Sequence, residues 1–260
     1  MLKVRVVPVL IIQDGLLKKP VQFKNPRTVA SPISIARVFE SRQVDELILL
    51  DRGLTVDQED VDPGLVRDIA EELFVPFAFG GGVRSVLAMK HIIQAGAEKV
   101  VINTAAVEQP DLITAGAELF GSQCIVVSID ALQSGDRYEV HTCSGSKPVG
   151  LDPVEWAQEV ERRGAGEILI NSISHEGVMK GYDLSLIRSV AESVGIPVIA
   201  SGGVGRLSDF VAAVHVGHAA AVAAGSIFHY TKFTPNMVKG ALRRAGIQVR
   251  MYPGEDYSVP

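Results

Sequence analysis

Short apolar runs alternate with helical patterns along almost the whole chain. The runs fall near residues 5–11, 45–51, 76–80 and 99–103, and again near 124–130, 166–171, 197–201 and 220–225. None is long enough to be a core helix, and each reads as a buried strand. Helical signals fill the gaps. Ser31-Pro32 offers a capping hydroxyl and a proline at a first helical position. Asp152-Pro153 leads into Val154, Ala157 and Val160 at helical spacing, and Gly96, Gly164 and Gly217 stand where helices should stop.

The pattern repeats. Shifting the chain by about 120 residues lays Asp45–Leu49 over Gly166–Ile170, and Pro76–Val83 over Pro197–Val204. Val101–Thr104 then falls near Ala223–Ser226. Eight strand-like runs alternating with helices predict parallel strands joined by crossovers. A length of 260 residues and two equivalent halves fit a closed (β/α)₈ barrel of α/β class. An open dinucleotide-binding sheet fits less well, because no G-x-G-x-x-G follows the first run. The expected organisation is one barrel over residues 1–260, with half-barrels near 1–120 and 121–245 and a loose tail over 253–258.

Composition narrows the function. The chain is 47% hydrophobic, and no stretch is apolar for the ~18 residues that a membrane span needs. Met1–Arg5 runs straight into a strand, so no signal peptide is expected. A net charge of −5 argues against nucleic acid as a partner. Cys124 and Cys143, one expected in a strand and one in a loop or hairpin, read as two reduced thiols of a cytoplasmic protein. His91, His141, His175, His215, His218 and His229 show no ligand spacing, so neither a metal nor a cofactor is expected. Trp156 reads as a packing residue on its helix.

Chemistry in such a barrel gathers at the C-terminal ends of the strands. There the chain places Gly81-Gly82, Asn103-Thr104, Gly177, Gly202-Gly203 and Gly225-Ser226. Glycine turns expose backbone N–H groups, which bind phosphate well beside a helix start. Two pairs of such turns, one in each half, point to a long ligand with a phosphate at each end. At equivalent strand ends stand Asp130 and Ile11. Two acids could divide general-acid and general-base work between them, whereas an acid opposite an isoleucine cannot.

Pro76–Gly82, Lys99–Val107, Arg163–Leu169, Gly181–Asp183 and Ile199–Gly203 together resemble the cyclase subunit of imidazole glycerol phosphate synthase. The resemblance covers nearly the whole chain. It implies a (β/α)₈ barrel that docks a glutaminase on its N-terminal face and conducts ammonia to a bisphosphorylated substrate. Two aspartates would guide ring closure and cleavage to imidazole glycerol phosphate and an aminoimidazole carboxamide ribotide. Asp130 matches one aspartate, and Ile11 replaces the other. Gly82, Asn103 and Thr104 match one phosphate site; Gly203, Gly225 and Ser226 fall at the second. Lys19 matches a lysine of the first mobile loop, followed by Pro20 where glycine is common, and Asp51 matches as well. Ser174, Glu176 and Asn171 depart from the family pattern. At the other end Arg5, Glu46, Lys99 and Glu167 match a charged ring that gates ammonia entry. Glu98 and Gln123 fall on the glutaminase interface.

Two functions follow from the resemblance. In one, the chain mainly supplies ammonia from its glutaminase to a sugar amidotransferase, for nucleotide-sugar amidination in surface-polysaccharide synthesis. In the other, it is an active cyclase of histidine biosynthesis. The altered mouth and intact ring favour the first, whereas the phosphate turns keep the second open. The related isomerase fits less well, since it too expects an acid at the end of the first strand.

Overall fold

A computed structural model describes residues 3–56 and 61–258. Residues 1–2, on which part of the signal-peptide expectation rests, lie outside the described residues. Among the described residues there are twelve strands: β1 (Arg5–Gln13), β2 (Leu16–Val21), β3 (Lys24–Ala30), β4 (Leu47–Asp51), β5 (Phe77–Gly80), β6 (Lys99–Ile102), β7 (Ile125–Ser134), β8 (Arg137–Thr142), β9 (Lys147–Pro148), β10 (Glu167–Ser172), β11 (Val198–Ser201) and β12 (Ala221–Ala224). Eight of them, in the order β1-β4-β5-β6-β7-β10-β11-β12, pair in parallel, and β12 returns to β1 to close a (β/α)₈ barrel. Each predicted run falls on one of these eight strands.

The alternation of side chains along a strand sorts the core into two parts. Val6, Leu10 and Ile12 of β1 point outward and pack under the helices. Val7 and Val9 point inward with Ile48, Ala78, Val101, Val126, Leu169, Ile199, Ala221 and Ala223, and Ile11 and Leu50 pack against this inner set. The outer helices, among them 32–41, 153–162 and 235–244, bury one face each. Asp152 accepts from Val154 N and Glu155 N at 2.8 and 3.2 Å, the cap that the sequence predicts. Ser31 holds the N-cap position without a side-chain capping bond, leaving Pro32 to set that start. Trp156 is buried on its helix.

The other four strands form hairpins that the strand pattern does not predict. Asp14-Gly15, at φ +54° and +66°, turns β1 back into β2, which pairs with β3. Asp-Gly in a two-residue turn of this kind supports strand reversal because both residues tolerate positive φ. β7 likewise runs on into β8 and β9. β1 and β7 therefore each carry a hairpin over the mouth. Cys143 sits in the β8–β9 turn, while Cys124 ends a 3₁₀ turn before β7 rather than lying in a strand. The tail is tied at Glu255, which accepts from Asn236 Nδ2 at 2.7 Å.

Candidate functional site

The inward faces of the barrel strands carry the chemistry at both ends. Along β1, Arg5 shares a face with Val7, Val9 and Ile11. On neighbouring strands Lys99 aligns with Val101, Glu167 with Leu169 and Asn171, and Ser128 with Asp130. One period-two rule therefore aims charges into the N-terminal end and polar groups into the mouth.

At the N-terminal end the four expected charges form a closed ring. Arg5 pairs with Glu46, and its Nη2 lies 2.7 Å from Glu167 Oε1. Lys99 Nζ lies 2.8 Å from Glu46 Oε1 and 2.9 Å from Glu167 Oε2. Each carboxylate thus meets both cations, and the charges cancel. Burial pulls the Arg5 pKa down, but Glu46 and Glu167 reverse this, and the net shift is upward. Glu98 and Gln123 are exposed. Glu98 accepts from Phe77 N at 2.8 Å, and Gln123 Nε2 donates weakly to Phe120 O at 3.5 Å.

At the mouth, a cavity of about 350 Å³ is lined by Ile11, Lys19, Asp51, Gly82, Asn103, Thr104, Asp130, Gly177, Gly203, Gly225 and Ser226. The fold thus brings these residues together, with Asn171 and Glu176 beside them, while Ser174 lies outside the lining. Asp130 is buried, and both its oxygens meet amides. Asn103 Nδ2 reaches Oδ2 at 3.1 Å and Asn171 Nδ2 reaches Oδ1 at 3.2 Å. Its pKa rises to about 7, chiefly through burial; Glu176 adds to the rise, whereas the Asn171 and Asn103 hydrogen bonds oppose it. Ile11, in the same cavity, offers no proton.

The glycine turns are tight for a geometric reason. Gly81 takes φ +107°, and a Cβ there would fall 1.9 Å from Asp51 O. A Cβ on Gly203 would fall 2.3 Å from Gly181 O. Thr104 begins the helix 104–108, and its Oγ1 accepts from Cys143 N at 3.0 Å. Asp51 Oδ1 accepts from Gly53 N at 3.0 Å, fixing the turn after β4.

Lys19 is not in a loop. It lies in β2 and is buried, with its Nζ 2.7 Å from Glu176 Oε1. A Cβ on Gly225 would lie 2.6 Å from that Nζ, so the ammonium sits directly over the Gly225 turn. Gln22 N donates to Glu176 O at 2.8 Å, and a Cβ on Gly177 would fall 2.7 Å from Pro20 O. The first hairpin is thereby docked on the 174–178 loop.

Sequence reasoning missed Phe23, Arg52 and Arg84, all of which line the cavity. Arg52 follows Asp51 directly, and Arg84 follows the Gly82-Val83 turn, so position at a strand end was the available signal. Among the described residues no helix is long and apolar enough to cross a membrane.

The fold and the mouth define a (β/α)₈-barrel protein with paired glycine turns around a buried carboxylate. A family model described as histidine biosynthesis protein matches residues 5–234. Proteins named imidazole glycerol phosphate synthase subunit HisF, from three strains of Dehalococcoides mccartyi, are 45% identical to it over 251 residues, covering 96% of this chain and 99% of theirs. The chain belongs to the histidine biosynthesis protein family and is HisF-like in sequence.

Proposed function

We propose that the chain is the cyclase-type subunit of a glutamine-dependent complex of the imidazole glycerol phosphate synthase kind. A glutaminase would dock on the N-terminal face around Glu98 and Gln123. Its ammonia would pass the Arg5–Glu46–Lys99–Glu167 ring and the apolar bore, and emerge beneath Asp130. The supporting observation is that ring, bore and mouth occupy the same inward strand faces. A small uncharged molecule suits an apolar bore, provided the ion pairs part to admit it.

At the mouth, the Gly82–Asn103–Thr104 and Gly203–Gly225–Ser226 turns would hold the two phosphates of the ligand. Lys19 adds a cation to the second. Asp130 would move the proton during ring closure, held by Asn103 and Asn171, with an ionisation near neutral pH that suits an acid–base group. The names of the relatives favour this cyclase reading, in histidine biosynthesis.

Ile11 favours a second reading, in which ring closure is weak and the barrel chiefly supplies ammonia to a sugar amidotransferase for surface-polysaccharide synthesis. One experiment tests both. The chain is co-expressed with its companion glutaminase, passed over a size-exclusion column, and assayed for glutamine-dependent formation of imidazole glycerol phosphate. Co-elution with turnover at ordinary enzyme rates, ~1–10³ per second, supports the cyclase. Co-elution with glutaminase activity but no product supports ammonia supply, and failure to co-elute with any ligand overturns both.

A further inference from the structure

Next to the charged ring along the chain lies a buried ion pair that neither the bore nor the mouth uses. Lys239, on the helix 235–244, has no exposed surface. Its Nζ lies 2.8 Å from Asp45 Oδ1 and donates to Gln43 O at 3.0 Å. Asp45 Oδ2 in turn accepts from Val6 N at 2.9 Å. The Tyr252 ring covers the ammonium from the C-terminal segment, its centroid 5.1 Å from Nζ. That segment is itself joined to the base of β1, where Val4 N donates to Gln248 O at 2.8 Å.

The pair is placed to set the ring. Asp45 precedes Glu46 in the chain, and Val6 follows Arg5. The Asp45–Val6 bond therefore ties together two backbone positions whose neighbours, Glu46 and Arg5, form an ion pair inside the barrel. Asp45 faces the helix and Glu46 faces the bore, so one turn of chain carries both contacts. Gln43, whose carbonyl Lys239 also holds, sits at φ +48°, a conformation uncommon for a residue other than glycine. A buried ion pair adds little net stability over apolar side chains of the same shape, but its geometry is exacting. Placement, more than stability, is what such a pair supplies here.

We infer that Asp45 and Lys239 are positioning residues of the ring: they latch the base of β4 to the base of β1 from outside the barrel and thereby hold Glu46 against Arg5. The inference rests on the reading of that ring as the ammonia gate. With the latch in place the Arg5–Glu46 contact stays shut, and without it the two side chains part more readily.

Hydrogen exchange of arginine side chains in the full chain, followed by NMR, tests it. The Arg5 guanidinium is identified by the signal missing from Arg5→Lys. Arg163, which pairs with Asp111 and Glu159 outside the ring, is the internal control. Lys239→Met should speed exchange at Arg5 roughly ten- to hundredfold, the range of one charge-assisted hydrogen bond, and leave Arg163 within about twofold. Asp45→Asn keeps the shape, removes the charge and should show the same selectivity. Tyr252→Leu only uncovers the ammonium, should speed Arg5 exchange about threefold, and keeps the test open should the other two variants not fold. Equal acceleration at Arg5 and Arg163 would mean that the pair supports the fold as a whole, and unchanged exchange at Arg5 that it does not reach the ring; either result overturns the inference. These measurements need no partner, so a glutaminase that fails to co-elute overturns the gate reading and leaves the latch result standing.

Discussion

The two ends of the barrel are built from the same strands and obey different electrostatics. At the N-terminal end Glu46 and Glu167 each find two cations within a closed ring. At the mouth Asp130 is equally buried but finds two carboxamides, and its proton is held to about pH 7. Burial alone therefore does not decide how a carboxylate behaves. A charged partner compensates lost hydration, whereas an amide compensates only part of it. The first arrangement suits a fixed barrier and the second a group that exchanges protons.

The largest expected effect tests whether the mouth lacks an acid. On the ammonia-supply reading, Ile11→Asp should raise ammonia-dependent formation of imidazole glycerol phosphate by roughly 10²–10⁴-fold, the usual contribution of a positioned acid or base. If both forms are inactive, the altered 174–178 loop is the further block; if the unmodified chain is already fast, Ile11 is no obstacle and the ammonia-supply reading is lost.

Breaking the ring comes next. Glu46→Ala leaves Arg5 and Lys99 facing each other with only Glu167 between them. The folded state should lose about 3–5 kcal/mol in urea denaturation, as when one partner of a buried pair is removed. A loss within ~0.5 kcal/mol would mean that the ring is hydrated like a surface pair.

Asp130 gives the contrast its pH signature. Its folded pKa of about 7 lies above the usual 3.8. The unfolded chain therefore releases this proton first as pH rises. The contribution of Asp130 to stability should be largest below pH ~4, fall between pH ~4 and ~7, and stay low above that. Each unit of difference corresponds to ~1.4 kcal/mol. Asp130→Asn should remove this slope from stability measured across that window, and a slope unchanged by the substitution would contradict the burial argument. Any turnover that needs ionised Asp130 should be half-maximal near pH 7.

The smallest effect concerns Lys19. Glu176→Gln should free its ammonium over the Gly225 turn and tighten inorganic phosphate binding there by several-fold, about 1 kcal/mol. Unchanged affinity would show that Lys19 does not reach the ligand.

Much of this was legible in the chain. The eight barrel strands follow from short apolar runs at two equivalent sets of positions, because a parallel strand buried on both faces leaves a continuous apolar signature. Glycine at 81, 202 and 203 marked the turns, since no Cβ fits where the backbone passes so close. The hairpins were less legible. Leu16–Val21 and Lys24–Ala30 carry lysines, prolines and arginine, and they form strands because β1 offers an edge to the first and the first offers one to the second; Asp14-Gly15 was their clearest local sign.

The sequence by itself therefore determined the barrel, the two ends of its bore and the absence of an acid at position 11, because these depend on local periodicity and residue type. Only the tertiary structure decided which side chains meet. Lys19 reaches Glu176 across 157 positions, Asn171 reaches Asp130 across 41, and Arg52 Nε is left without an acceptor. Those outcomes depend on angstrom-scale distances between strands far apart in the chain, and burial and charge pairing, which set the ionisation of Asp130, come into being only when the barrel closes.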